Sequence, residues 1–326
     1  MRVVFLYDVE AQELEVLREN LRKDIDITSI QRTEKDLFLK QANRFDALVG
    51  ARVPKEFLEP ATNLKYFIIP FAGIPKEDKK TLSEFPNLTI LNCHYNAPFV
   101  AEHALALLLA SARKVCSIHN QLKNGDWTPR YEREWGVTLR KKTLLILGYG
   151  KIGEYLAEMT KGLGMVVKAI KRTPGKAPEL DFLGTNEDLH RLLPEADFIV
   201  CTLPETESTR GYLGEKEFEL MKEGVHLVNV GRGPVIVEEA FYEALKSGKL
   251  GGAGIDTWWV YPDEDARSNT FPSHYPLDDF ENVVFSPHRA SHVRERERYR
   301  MQRLARILNS LASGVFINVV DLEAGY

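Results

Sequence analysis

The sequence predicts an α/β protein of two parallel-sheet domains, and three observations carry that expectation. Short apolar β runs alternate with helical patterns along most of the chain, and such alternation selects parallel sheets with helices on both faces. The alternation stops at a long apolar helix and a polar connection, then resumes near Thr143. A length of 326 residues also exceeds what a single hydrophobic core ordinarily serves.

The first series places strands at residues 3–7, 25–30, 47–50, 66–69 and 89–91, with an amphipathic helix over 11–21. Residues 100–118 read as one long apolar helix, followed by a polar, aromatic connection over 121–136 that holds Gly125, Trp127 and Pro129. The second series begins at Thr143 and places further strands at 166–170, 198–201, 226–230, 250–255 and 283–285. Residues 291–310 are helical and heavily charged, but the signs alternate from Arg294 to Arg298. That pattern marks a solvated helix face rather than a nucleic-acid surface. Residues 315–320 are apolar and are expected to pack back on the first domain. The expected boundaries are 1–100 plus 291–326 for one domain and 101–290 for the other.

Bulk properties exclude several classes of partner. With 44% hydrophobic and 28% charged residues the composition is that of an ordinary globular protein. A formal net charge of −4 and a pI near 6.1 give no reason to expect nucleic acid or an anionic membrane. Cys93, Cys116 and Cys201 are widely spaced and odd in number, so neither a disulfide framework nor a metal site is expected, which fits the reducing cytoplasm. The N-terminus reads as a strand rather than a signal peptide. The apolar helical stretch over 104–112 is too short to span a bilayer.

The most specific local feature is residues 144–153, an apolar strand that ends in a GxGxxG turn, with a helical pattern over 154–161 directly behind it. That context is the one a dinucleotide-binding fingerprint requires. Gly148 would permit the tight turn, Gly150 the close approach of a pyrophosphate, and Gly153 close packing of helix on strand. The diphosphate would then lie on the helix N-terminus, against Lys151 and Ile152. Residues 101–290 are therefore expected to form a Rossmann-like dinucleotide-binding domain. About 20 residues past the glycines, where an NAD site carries an acid, the chain reads Lys171, Arg172, Thr173 and Pro174. Two cations and a hydroxyl suit the 2′-phosphate of NADP, so NADP is preferred, with NAD possible.

Together with these features, the order of several motifs resembles the D-isomer-specific 2-hydroxyacid dehydrogenase family, which includes glyoxylate/hydroxypyruvate reductases, phosphoglycerate dehydrogenases and formate dehydrogenases. Residues 64–67 through Ala72 and Gly73 look like its substrate-carboxylate loop, and Asn96 through Val100, Ala101, Glu102 and His103 like the start of its interdomain helix. Residues 204–209, from Pro204 to Thr209, are similar to its segment beside the nucleotide. Asn229 to Gly233, Gly254 to Asp256 and Ser286 to His288 look like its three late signatures. The resemblance implies two Rossmann-like or flavodoxin-like domains closing over the cofactor and a small 2-oxo acid, with residues 1–100 and 291–326 as the substrate (catalytic) domain, and a homodimer. It places Arg232 on the substrate carboxylate, where a permanently charged fork of donors also polarises the carbonyl. His288 becomes the proton donor, because imidazole titrates near neutrality. Ala72 and Gly73 would hold the second carboxylate oxygen through backbone N–H groups, while Pro204, Thr209, Val230 and Asp256 would line the cofactor.

One departure bears on the chemistry. The family pattern has a glutamate just before a proline after the Gly254–Ile255–Asp256 strand, bonded to the catalytic histidine; here Tyr261 stands before Pro262. A carboxylate partner raises a histidine pKa, whereas a tyrosine supplies no charge at neutral pH. Either Tyr261 orients the ring, with the optimum for reduction then below neutrality, or Asp263, Glu264 or Asp265 supplies the carboxylate. The departure leaves two alternatives open: a formate- or phosphite-type dehydrogenase, and a nucleotide-sensing or scaffolding relative with weak turnover. Trp258, Trp259, Tyr261, Phe271 and Tyr275 form either a substrate lid or a packed excursion or subunit contact. Arg52, just past the 47–50 strand, is a candidate for a distal anionic group on the substrate, though a solvated arginine is the simpler reading.

Overall fold

The computed structural model describes residues 1–133 and 135–322, apart from the side chain of Glu264. The chain divides into two compact units, Met1–Asn96 with Val293–Tyr326, and Ala97–His292. The first segment runs β1 (Arg2–Phe5), α1 (Ala11–Asn20), β2 (Asp26–Ser29), α2 (Lys35–Leu39), β3 (Ala47–Val49), α3 (Lys55–Leu58), β4 (Tyr66–Ile69), α4 (Lys76–Leu82) and β5 (Thr89–Asn92). Among the described residues its five strands form a parallel sheet in the order β2-β1-β3-β4-β5, the flavodoxin-like arrangement. Strands β1, β3 and β4 are almost wholly apolar and buried, as a sheet covered on both faces demands.

The second unit opens with α5 (Ala97–Ala112) and α6 (Val115–Lys123). It continues with β6 (Thr143–Leu147), α7 (Lys151–Gly162), β7 (Val166–Ile170), β8 (Phe182–Gly184), α8 (Leu189–Leu192), β9 (Phe198–Cys201), α9 (Glu215–Leu220), β10 (Val225–Asn229), α10 (Glu238–Lys246), β11 (Leu250–Ile255) and β12 (Val283–Phe285). Among the described residues these strands form a seven-stranded parallel sheet, β12-β11-β10-β9-β6-β7-β8. Its order reverses between β6 and β9, and in such sheets ligands bind outside the carboxyl ends at that point. Inside, His226 on β10 is bonded to the Ser111 hydroxyl of α5 at 2.9 Å, and burial pushes its imidazole down to about 4. It is a neutral core residue.

The chain then returns through α11 (Arg296–Ala312), which lies on α1 of its own unit with Met301, Leu304, Leu308 and Leu311 turned inward. Beyond it Val319 bridges Leu91 of β5 in antiparallel sense, and the Val320 N–H donates to the Ile90 carbonyl at 2.8 Å. The tail thus docks on the first unit through its backbone and the buried Val320, while Val315, Phe316 and Val319 stay exposed.

Three elements differ from expectation. The single helix over 100–118 is two helices, because the Val137 N–H takes the Ala112 carbonyl at 2.7 Å and Lys114 turns left-handed, with φ +52. The charged helix begins at Arg296 rather than at residue 291. Strand β8 was not anticipated; it is an edge strand of three residues, too short for a periodic signal.

Candidate active site

The glycine turn occupies the three residues between β6 and α7. Gly148 has φ +99, a conformation that glycine alone adopts freely. A Cβ at Gly153 would stand 2.9 Å from the Gly148 carbonyl oxygen, so only glycine lets α7 lie this close. A Cβ at Gly150 would meet nothing within 4 Å, which leaves open space in front of the turn. The N–H groups of Lys151, Ile152 and Gly153 lie in the first turn of α7, where a helix has no internal acceptor to offer. No side chain caps them. Open space at an uncapped helix N-terminus suits a diphosphate, and the residues present fit a dinucleotide.

Neighbouring strand ends are fastened to this turn. The Thr202 hydroxyl, just past β9, donates to the Gly148 carbonyl at 2.6 Å. On the other side the N–H groups of Gly148 and Tyr149 both donate to the Ile170 carbonyl, at 3.1 and 2.8 Å, which fixes the end of β7. Lys171, Arg172 and Thr173 follow at once and are exposed. In the segment after β9 the Thr209 hydroxyl donates to the Pro204 carbonyl at 2.6 Å and accepts the Thr206 N–H at 2.8 Å, so Thr209 shapes the segment that carries Pro204. Val230 is buried and its N–H donates to the Cys201 carbonyl at 3.1 Å.

Arg232, Tyr261 and His288 follow β10, β11 and β12 at the same edge of the sheet. The His288 N–H donates to the Ser286 carbonyl at 3.0 Å, and its φ of +54 gives a tight left-handed reversal after Pro287. The Tyr261 hydroxyl lies 2.9 Å from His288 Nδ1 and accepts the Trp258 N–H at 3.2 Å. Burial raises the Tyr261 pKa above its ordinary value, so the phenol is neutral and either donates to a bare Nδ1 or accepts from a protonated one. Burial, and then the Arg232 guanidinium, lower the pKa of His288, while Asp256 pulls it part of the way back. Among the described residues no carboxylate is hydrogen-bonded to the His288 ring: Asp263 and Asp265 are not, and the Glu264 side chain lies outside them.

Asp256 is 1% exposed, and both its oxygens are engaged within the protein. Oδ1 accepts the Ser286 hydroxyl and the Arg289 N–H, the latter at 2.8 Å, and Oδ2 accepts the Ala290 N–H at 3.2 Å. His103 Nε2 lies 2.8 Å from the Ser286 hydroxyl and 3.5 Å from Oδ1. Burial works to raise the Asp256 pKa, but the bonds from His103, Ser286, Arg289 and Ala290 outweigh it and hold the carboxyl low. The geometry thus makes Asp256 the anchor of the loop that presents His288. Trp258 serves the same loop, its Nε1 donating to the Ser286 carbonyl at 2.8 Å. Trp258, Trp259 and Tyr275 pack on the unit's core, and Phe271 and Tyr261 stay at its rim.

Arg52, Ala72 and Gly73 belong to the other unit, after β3 and β4. Asn92 Nδ2 donates to the Ala72 carbonyl at 2.8 Å and turns that loop. Arg52 is exposed with φ +51, and its N–H donates at 2.6 Å to Asp78, a carboxylate 1% exposed. Sequence reasoning did not single out Thr202, Asp78 or the bond between His103 and Ser286; only the threonine, one residue past an apolar run, had a local signal.

Comparison with known proteins converges on one assignment. The family model for the NAD binding domain of D-isomer specific 2-hydroxyacid dehydrogenases matches residues 105–290. Hydroxypyruvate reductase of Thermotoga maritima is 35% identical over 295 residues, 89% of this chain and 91% of its own. Glyoxylate/hydroxypyruvate reductase B of Yersinia pestis (strain Pestoides F) is 34% identical over 276 residues, covering 83% of this chain and 82% of that protein. A D-isomer specific 2-hydroxyacid dehydrogenase from Xanthobacter autotrophicus Py2, solved in complex with NADPH and MES, shares the fold with a TM-score of 0.79 at 23% identity, over 100% of this chain and 99% of that one. By motif, sequence and fold, the chain belongs to the D-isomer specific 2-hydroxyacid dehydrogenase family.

Proposed function

We propose that this protein is an NADPH-preferring reductase that converts a small 2-oxo acid to the D-2-hydroxy acid, as a cytoplasmic homodimer. The observation that carries the reading is the bond from Tyr261 to His288 Nδ1 beside Arg232, at the strand ends next to an open glycine turn. NADPH, when bound, supplies the hydride. Arg232 binds the substrate carboxylate and polarises the carbonyl. With Nδ1 engaged by Tyr261, His288 gives its proton to the nascent alkoxide from Nε2. Lys171 and Arg172, with no carboxylate at the end of β7, support NADP over NAD. Unpaired Cys93, Cys116 and Cys201 support a reducing compartment, and the exposed Val115, Ile118 and Leu122 of α6 support a second copy as partner. Among the described residues no helix is long and apolar enough to cross a membrane.

The names of the relatives choose the first assay. Initial rates of NADPH and NADH oxidation against glyoxylate, hydroxypyruvate, pyruvate and branched 2-oxo acids are expected to favour NADPH and at least one of these acids. Tight binding of cofactor with no turnover of any of them would refute the reading. Oxidation of formate or phosphite is the second reading, favoured by the neutral Tyr261, and the same assay run with NADP+ decides it.

The pH dependence follows from the same geometry. A His288 pKa below its ordinary value leaves the ring mostly unprotonated at pH 7. For reduction, kcat/KM therefore rises as pH falls and levels off below that pKa. In Tyr261→Glu a carboxylate favours the protonated ring, and the kinetic pKa moves up by about 1–2 units. A pH–rate profile identical to the parent's would show that residue 261 does not act on His288.

A further inference from the structure

We propose that Tyr149, the residue inside the glycine turn, and its partner Glu179 are positioning residues for cofactor selectivity, because together they hold both ends of the basic loop that follows β7. This inference rests on the NADPH-preferring reading of the site. The loop starts at Lys171 and carries Arg172, Thr173 and Lys176, all exposed. At its start the Tyr149 N–H donates to the Ile170 carbonyl at 2.8 Å, and the Lys171 N–H is taken by the Gly184 carbonyl at 3.0 Å. At its far end the Tyr149 hydroxyl donates to Glu179 Oε1 at 2.5 Å. One residue thus grips a loop of nine residues by its backbone at one end and by its side chain at the other.

Tyr149 is a firm post for that purpose. It is 6% exposed, and its ring packs in the core cluster that includes Leu156, Val167 and Leu180. Glu179 is exposed, so without the phenol its carboxylate would move freely through solvent. A phenol bonded to a carboxylate is a charge-assisted hydrogen bond, stronger than a neutral one. The bond holds the Glu179 carboxyl below its usual range. It also fixes the negative charge at the loop's base, while the two cations stay at its start. A loop ordered in advance binds a 2′-phosphate without the ordering cost a loose one would bear. Gly150, next to Tyr149, leaves open the space where the diphosphate is proposed, so one short segment serves both ends of the recognition.

The test uses Tyr149→Phe, which keeps the ring in the core and removes only the hydroxyl. Trypsin cleavage after Lys171, Arg172 and Lys176 in cofactor-free protein is expected to quicken. The Kd for NADPH and for adenosine 2′,5′-bisphosphate should rise about tenfold, the weight of one hydrogen bond to a charged group, with less than a twofold change for NADH and 5′-AMP. Glu179→Ala should reproduce Tyr149→Phe, and Glu179→Gln, which still accepts from the phenol, should keep the loop protected. Unchanged proteolysis, or equal weakening for phosphorylated and unphosphorylated ligands, would overturn the proposal. A parent protein that binds NADPH no better than NADH overturns the reading of the cofactor instead, while proteolysis still decides whether Tyr149 holds the loop.

Discussion

Replacing His288 by Asn is expected to slow reduction of the 2-oxo acid by about 100- to 10,000-fold, the range that a positioned general acid contributes. The choice of asparagine is structural. Residue 288 has φ +54, and asparagine tolerates that left-handed conformation better than most residues, so the turn after Pro287 survives the change. The anchors of the loop survive too, since Asp256 holds it through the N–H groups of Arg289 and Ala290 rather than through the histidine. Affinity for NADPH should stay within a few-fold of the parent. What disappears is the ring proton, and with it the rise of kcat/KM at low pH. A variant that kept more than a tenth of the parent rate, with the pH dependence intact, would move the acid elsewhere in the site.

The parts of this site that were legible in the sequence are those set by local pattern. Buried parallel strands read as continuous apolar runs, and the expected strands at 166–170, 198–201, 250–255 and 283–285 coincide with β7, β9, β11 and β12. The glycine turn was legible because Gly148, with φ +99, and Gly153, pressed against the Gly148 carbonyl, each answer a demand of the backbone, while Gly150 leaves the space in front of the turn open. Where a partner arrives from far along the chain, no local pattern announces it. The Tyr149 to Glu179 bond spans 30 residues and the His103 to Ser286 bond spans 183. The break in the helix over 100–118 has the same origin, because Val137 takes its carbonyl from beyond the connection. Asp256 shows the limit of a signature. The motif marks the residue, but only the geometry shows its carboxylate bonded to the loop that bears the histidine.

Arg232→Lys is expected to lower kcat/KM for the 2-oxo acid by about 100- to 1,000-fold although the charge is conserved. The reason lies in how rigidly the arginine is presented. A Cβ on Gly231 would lie 2.4 Å from the Leu203 carbonyl oxygen, and one on Gly233 would lie 2.2 Å from that of Trp258, so backbone presses on both flanks. The Asn229 side chain closes the bracket, accepting the Gly231 N–H at 3.0 Å and donating to the Arg232 carbonyl at 3.1 Å. The guanidinium is then tied to the Gly231 carbonyl at 2.7 Å through Nη1. A planar fork held this way can meet a carboxylate with two parallel bonds, and a lysine ammonium offers one point charge on a flexible stem. The loss should divide between KM, through weaker binding of the carboxylate, and kcat, through weaker polarisation of the carbonyl. A second variant separates geometry from charge. Arg232 is one of the groups that lower the His288 pKa, so Arg232→Gln should raise the kinetic pKa as well as lose activity, whereas Arg232→Lys should leave that pKa nearly where it was. If both variants lost activity with no change in either pKa, Arg232 would be acting away from the histidine, and the shared site of acid and carboxylate binding would fail.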